Sequence, residues 1–158
     1  MAVTYSDKDI VLLLDERKVL PLDRARFQLR SKRGHKEREL DVAGSSGTQF
    51  RVILRQSGIN PLDFTVILAV CPKESNQLFC LRRYNGKHEH TNQIERETFD
   101  DFHIDIATER YQEFGAREDA YAKRTDLYSD FHGALDCLIH DCAFVLPPRE
   151  QYGLFKEV

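Results

Sequence analysis

Residues 48–71 read Thr-Gln-Phe-Arg-Val-Ile-Leu-Arg-Gln-Ser-Gly-Ile-Asn-Pro-Leu-Asp-Phe-Thr-Val-Ile-Leu-Ala-Val-Cys. In the first part, Phe50, Val52 and Leu54 fall on one face, with Arg51, Ile53 and Arg55 opposite. A period of two is the signature of a half-buried strand. Ser57 to Pro61 supplies a turn, since Gly, Asn and Pro break regular structure. Residues 63–71 are then apolar on both faces, as a strand in the middle of a sheet must be.

Further strands lie on either side. Residues 77–84 continue the series downstream, and Phe102, Ile104 and Ile106 later alternate with His103, Asp105 and Ala107. Upstream, residues 36–43 set Leu40 and Val42 against Glu37, Glu39 and Asp41. Residues 25–33 set Phe27 and Leu29 against Arg26, Gln28, Arg30 and Lys32, with a tight turn expected at Gly34-His35. Such short connections join antiparallel neighbours.

Helices flank the strands. Ser6 is a good N-cap, Asp7 and Asp9 suit the first turn, Ile10, Leu13 and Leu14 follow at helical spacing, and Pro21 ends the element. Ser129 is the expected cap of a last helix over 130–144, with Phe131, Leu135, Leu138 and Cys142 as its apolar stripe. The acidic segment 109–127 predicts a helical turn near 109–114 and a loop after it. The order predicts an α+β fold. It would be an antiparallel sheet of five or six strands, with an N-terminal and a C-terminal helix packed on one face. Residues 1–146 would form a single domain and 147–158 a tail.

The composition agrees with one soluble domain. The chain has 158 residues, 41% hydrophobic and 31% charged, enough for a sizeable core and too apolar for disorder. No apolar run approaches the roughly 20 residues of a membrane helix. The first residues, Met-Ala-Val-Thr-Tyr-Ser-Asp, lack the features of a signal peptide. The expected location is the cytosol, with no membrane contact. Cys71, Cys80, Cys137 and Cys142 form no Cys-x-x-Cys pair and read as reduced, buried packing residues.

The net charge of −3 excludes a uniformly basic nucleic-acid binder. That sum hides two unlike parts. Residues 24–38 carry seven basic residues against Glu37 alone, and residues 95–119 carry nine acids against three arginines. In a hairpin, much of the first stretch becomes ordinary cross-strand pairing. Its tip, with Lys32, Arg33, His35, Lys36 and Arg38, stays crowded with cations, and is the candidate contact for RNA or an acidic partner.

Residues 81–92, Leu-Arg-Arg-Tyr-Asn-Gly-Lys-His-Glu-His-Thr-Asn, carry the richest chemistry. His88 and His90 share a face in extended backbone, as do His103 and Asp105 on the later strand. Histidine titrates near neutrality and suits proton transfer from a ribose 2′-hydroxyl. Arg82, Arg83 or Lys87 could offset phosphate charge, and Tyr84 could stack on a base. The candidate catalytic set is His88, His90, His103, Arg83 and Tyr84. A metal set of His88, His90 and His103 with Asp105 or Glu89 is the alternative. The reading adopted is metal-independent, with no cofactor. His132, Asp136 and His140 share a face of the last helix, and Glu109, Glu113, Glu118 and Asp119 cluster before it. Both groups read as solvated surface. No phosphate-binding glycine loop, Gly-x-Ser-x-Gly or His-Glu-x-x-His occurs.

Arg83-Tyr84-Asn85, His88-x-His90, a polar gap, an alternating strand and a closing amphipathic helix resemble small bacterial toxins of toxin–antitoxin modules, RelE-like RNases in outline, over residues 63–143. The chain also resembles an uncharacterised family of small bacterial proteins. The toxin resemblance implies a cytosolic antiparallel-sheet endoribonuclease, with RNA as substrate and an antitoxin as protein partner. A non-enzymatic interaction module with a charge-segregated surface is the other expectation, and self-association a third.

Overall fold

The computed structural model describes residues 3–19 and 28–145. The tail expected at 147–158, and the start of the strand expected at 25–33, lie outside the described residues. The fold is α+β, built on a large antiparallel sheet.

Helix α1 spans Asp7–Asp15, capped by the Ser6 side chain, which accepts from the Asp9 amide. A short β1 follows at Lys18–Val19. The main strands are β2 (Arg30–Lys32), β3 (His35–Ala43), β4 (Gln49–Ser57), β5 (Phe64–Val70) and β6 (Phe79–Asn85). A small hairpin, β7 (His90–Asn92) with β8 (Glu97–Phe99), precedes β9 (His103–Ile106). Helix α2 (Glu109–Phe114), strand β10 (Tyr121–Arg124), helix α3 (Phe131–Asp141) and β11 (Phe144–Val145) complete the order. The main sheet has seven strands in the order β10-β9-β6-β5-β4-β3-β2, where five or six were expected. The strand not anticipated is β10, Tyr-Ala-Lys-Arg, a polar edge strand whose sequence reads as loop. Strands β1 and β11 pair in parallel as a separate two-stranded sheet.

The register gives the sheet two unlike faces. Phe50, Val52, Leu54, Phe64, Val66, Leu68, Tyr84 and Ile104 belong to the main core. Ile10 and Leu14 of α1 join that cluster, as do Phe131, Ala134 and Leu138 of α3. Strand β5 is buried at six of its seven positions, as its unbroken apolar run requires.

Lys18, just past the C-terminal end of α1, is fully buried. Its Nζ donates to the carbonyls of Leu13, Leu14, Glu16 and Cys142 at 2.7–3.1 Å. Those carbonyls lie at the C-terminal ends of α1 and α3, where orphaned acceptors and the helix dipole favour a cation. The helix dipoles and the ammonium therefore tie the two helices together. Of the cysteines, all free, only Cys142 is buried, and Cys71, Cys80 and Cys137 are half-buried. The expectation that all four pack fully inside is corrected, because Cys71 and Cys80 occupy strand ends or the open face.

Candidate histidine–aspartate centre

The second face of the sheet is read from the register. One row crosses it as Glu37, Arg55, Thr65, Asn85, His103 and Arg124. The next runs Glu39, Ile53, Ile67, Arg83, Asp105 and Ala122. His103 and Asp105 thus sit side by side on β9, as their spacing implies.

His88 and His90 reach them because the chain folds back after β6. The Gly86 amide donates to the Phe64 carbonyl, and the Lys87 amide to that of Leu62. A Cβ on Gly86 would strike the Leu62 carbonyl oxygen, so only glycine permits this close crossing. The ring centroids of His88 and His90 then lie 4.9 and 5.2 Å from that of His103. Three histidines expected as candidates converge. Phe99 of β8 walls the group, 5.6 Å from both His90 and His103.

Hydrogen bonds assign the tautomers. His103 Nδ1 lies 2.8 Å from the Asp101 carbonyl oxygen, which can only accept. The proton is therefore on Nδ1 and the lone pair on Nε2. That Nε2 is buried with no partner, 3.8 Å from Asp105 Oδ1, itself buried and without a partner. Asn92 is held by β10: its Oδ1 accepts from the Ala122 amide and its Nδ2 donates to the Ala122 carbonyl, each at 2.8 Å. His90 Nε2, 2.8 Å from that Oδ1, must be the donor, leaving a lone pair on Nδ1. One donor atom from each of His90, His103 and Asp105 lies within 4.8 Å of the others. His88 Nδ1 is also buried without a hydrogen bond, 3.6 Å from Asp63 Oδ1.

Burial sets the charges. It pushes His103 down to about 4, helped by the neighbouring His88 and His90, so the ring is neutral at pH 7. Desolvation and then the Asp119 carboxylate push Asp105 up to about 7, against the pull of Arg83 and Arg117. Desolvation is also the main force lowering His88.

Other candidates have different roles. Arg83 does not stand free for a phosphate: its Nε donates to Asp119 at 3.0 Å and lies 3.9 Å from Asp105. Tyr84 is fully buried and donates to Asp141 Oδ2 at 2.8 Å, so no ring face is open to a nucleobase. Its alternation with Arg83 puts it on the helix-covered face. Asp119, read as solvated, is fully buried and accepts from Arg83 and from Arg117 Nε at 2.7 Å. Two guanidinium groups and the Asp105–Asp119 pair make a compact quartet beneath the histidines. No local pattern in the acidic segment marks Asp119 as different, because its partners come from β6 and from Arg117.

The basic stretch is likewise reorganised. The turn falls at Arg33-Gly34, and pairing divides its cations. Lys32 and His35 share the histidine face, where Glu37 meets both at 3.6 and 2.7 Å. Lys36 and Arg38 point to the other face, opposite Gln56 and Leu54. Arg33 sits exposed in the turn itself. The finger is therefore two smaller groups, since strand alternation sorts neighbours to opposite sides. His132, Asp136 and His140 are all exposed on α3. No described helix is long and apolar enough to cross a membrane.

Comparison with known protein families, curated proteins and solved structures finds no match to this chain. The site is therefore defined by its own chemistry: a partly buried histidine–aspartate centre on the open face of an antiparallel sheet.

Proposed function

We propose that this chain is a small α+β enzyme that cleaves RNA at the histidine–aspartate centre. In this reading it acts in the cytosol as a toxin-like protein held in check by a protein partner. The observation that carries the reading is the convergence of His88 and His90 on a buried His103 whose Nε2 has no partner. Unpartnered buried polar atoms destabilise a fold, and such costs concentrate at functional sites.

The chemistry required is modest. A ribose 2′-hydroxyl gives its proton to an imidazole lone pair and attacks the adjacent phosphorus, and the 5′-oxygen leaves with a proton from a second group. His88 and His90, half-buried at the rim of the cluster, are the groups nearest to an incoming chain. Lys87, exposed and next to His88 in the chain, rests its Nζ over the Phe102 ring at 5.5 Å and on swinging from it replaces Arg83 as the proposed phosphate cation. Lys32, His35 and Arg55 lie on the same sheet face, five strand spacings from β9 at most. At about 4.8 Å per strand that is roughly 24 Å, a few nucleotides of extended RNA. A non-enzymatic interaction module has less support, because the acidic stretch is largely engaged within the chain: Glu95 with Arg110 and Tyr111, Glu118 with the Cys80 amide, and Asp119 with Arg83.

The test is purified protein with labelled RNA, alongside the double variant His88→Ala/His90→Ala and growth on induced expression. Cleavage and growth arrest by the wild type, both lost in the double variant, are expected. Intact RNA with the wild type defeats the reading.

A further inference from the structure

We propose that His90, His103 and Asp105 form a binding site for one divalent transition-metal ion, with zinc the best fit. This deepens the proposed function at the same centre, with His90 recast as a ligand and His88 kept for proton transfer, and the ligand geometry does not depend on RNA being the substrate.

Four observations carry it. The three donor atoms lie within 4.8 Å of one another. Zinc bonds of about 2.0–2.1 Å put tetrahedral donors roughly 3.4 Å apart, so the widest pair needs to close by up to about 1.4 Å. Two of the three ligands, His103 and Asp105, are almost wholly buried, at 0% and 2% exposure, with Nε2 and Oδ1 lacking any partner. They face each other at 3.8 Å across the space an ion would fill. Both ligating histidines are held from behind in the manner metal ligands require. His103 donates from Nδ1 to the Asp101 carbonyl, and His90 donates from Nε2 to Asn92, which the backbone of β10 clamps on both sides. Each ring thereby presents a lone pair on its other nitrogen, the neutral form a metal binds.

The donor set decides the ion class. Two imidazoles and one carboxylate are the three-ligand pattern of catalytic zinc and non-haem iron sites, which keep positions open. Magnesium and calcium favour all-oxygen shells and fit poorly. Among the described residues no thiol joins this cluster. The open side of the site faces His88, whose ring is 4.9 Å from that of His103 and whose Nδ1 has no hydrogen bond. A divalent ion would also give Asp105 Oδ1 the partner that it lacks within the chain. Oδ2 remains turned to Arg83 and Arg117, at 3.9 and 3.8 Å.

The experiment is titration of untagged, chelator-treated protein with Zn2+ by calorimetry at pH 7.5, with Co2+ absorption as a second readout. One ion per chain and a Co2+ spectrum of low-coordinate nitrogen–oxygen ligation are expected. His90→Ala, at a half-buried hairpin position, should weaken binding by about 100-fold or more, and His103→Asn more still. Asn92→Ala, which removes the orienting partner of His90 together with its two bonds to Ala122, should weaken it by about 10-fold in the folded variant. His132→Ala/His140→Ala on α3 should leave binding unchanged, and circular dichroism checks that each variant folds. Absence of stoichiometric binding by the wild type overturns the proposal, as does undiminished binding by folded His90→Ala and His103→Asn. Zinc binding without RNA cleavage supports the metal site and defeats the RNA reading. RNA cleavage without zinc binding does the reverse.

Discussion

The two faces of the main sheet are made of the same seven strands and obey opposite rules. The face under α1 and α3 is closed: Phe50, Leu54, Val66, Leu68 and Leu81 are almost completely buried. Tyr84 is satisfied there by Asp141 and Lys18 by four carbonyls, while Arg82, which reaches Tyr84 Oη at 3.4 Å, leaves only its Nε without a partner. The other face carries charge ladders at one end and the histidine centre at the other. There His88, Asn85, His103 and Asp105 each leave a buried polar atom without a partner. Burial on one face removes water from apolar groups, and on the other it removes water from polar atoms that the chain leaves unpaired. The proposed site is thus marked by unsatisfied buried atoms rather than by a motif.

Truncation in the closed face should break the fold most. Leu68→Ala, at a fully buried site, is expected to lower unfolding free energy by about 2–5 kcal/mol in urea titration. Zinc affinity at the surviving folded fraction should be unaffected. Asp119→Ala tests the quartet that supports the open face. It strands Arg83 beside Asp105, and a loss of about 3 kcal/mol is expected by the same measurement. A loss below about 0.5 kcal/mol would show that the pair contributes nothing.

Tyr84→Phe separates the faces more finely. It deletes the donor to Asp141 and should cost about 1 kcal/mol, with RNA cleavage and metal binding unchanged. A fall in cleavage at constant stability would restore Tyr84 to the site. Lys36→Ala, exposed on the hairpin, should change stability by less than about 0.5 kcal/mol.

The closed face also sets an alkaline limit. Burial pushes the Cys142 thiol up to about 11, against about 8.5 in an unfolded chain. The folded state keeps its proton where the unfolded state has lost it, so stability is held below about pH 8.5 and falls as pH rises toward 11. Cys142→Ala should flatten part of that fall in denaturation series between pH 8 and 11. An unchanged slope would show that Cys142 is not the group responsible.

Much of the architecture was legible in short-range pattern. The alternation around Phe50 and the solid run through Ile67 define β4 and β5, because a strand's partners repeat every second residue. Ser6 and Ile10 define α1 in the same local way. The turn near 109–114 is α2, capped by Thr108 and closed by Gly115 in the left-handed region at φ 88°. The cap of α3 is Asp130 rather than Ser129, a one-residue difference between two good capping side chains. Strand β10 was missed because its exposed Lys123 and Arg124 suit an edge as well as a loop. His88, His90 and His103 were singled out as residues, but their meeting depends on the fold-back at Gly86. Asp119 was misread, since nothing in Arg-Glu-Asp-Ala says that one acid of the pair faces two arginines.

By itself, the sequence determined which segments extend, which coil, and which side chains can carry protons or ions, because those follow from neighbours a few residues apart. Only the tertiary structure decided which polar groups are left alone together. His90, His103 and Asp105 become a centre because the fold-back at Gly86 and the Asn92–Ala122 bonds to β10 bring β7 beside β9's side chains. Lys32 and Lys36, close in the chain, become strangers because the sheet turns them to opposite sides. Satisfaction of a buried atom is a property of three-dimensional surroundings, so it has no signature in the order of residues.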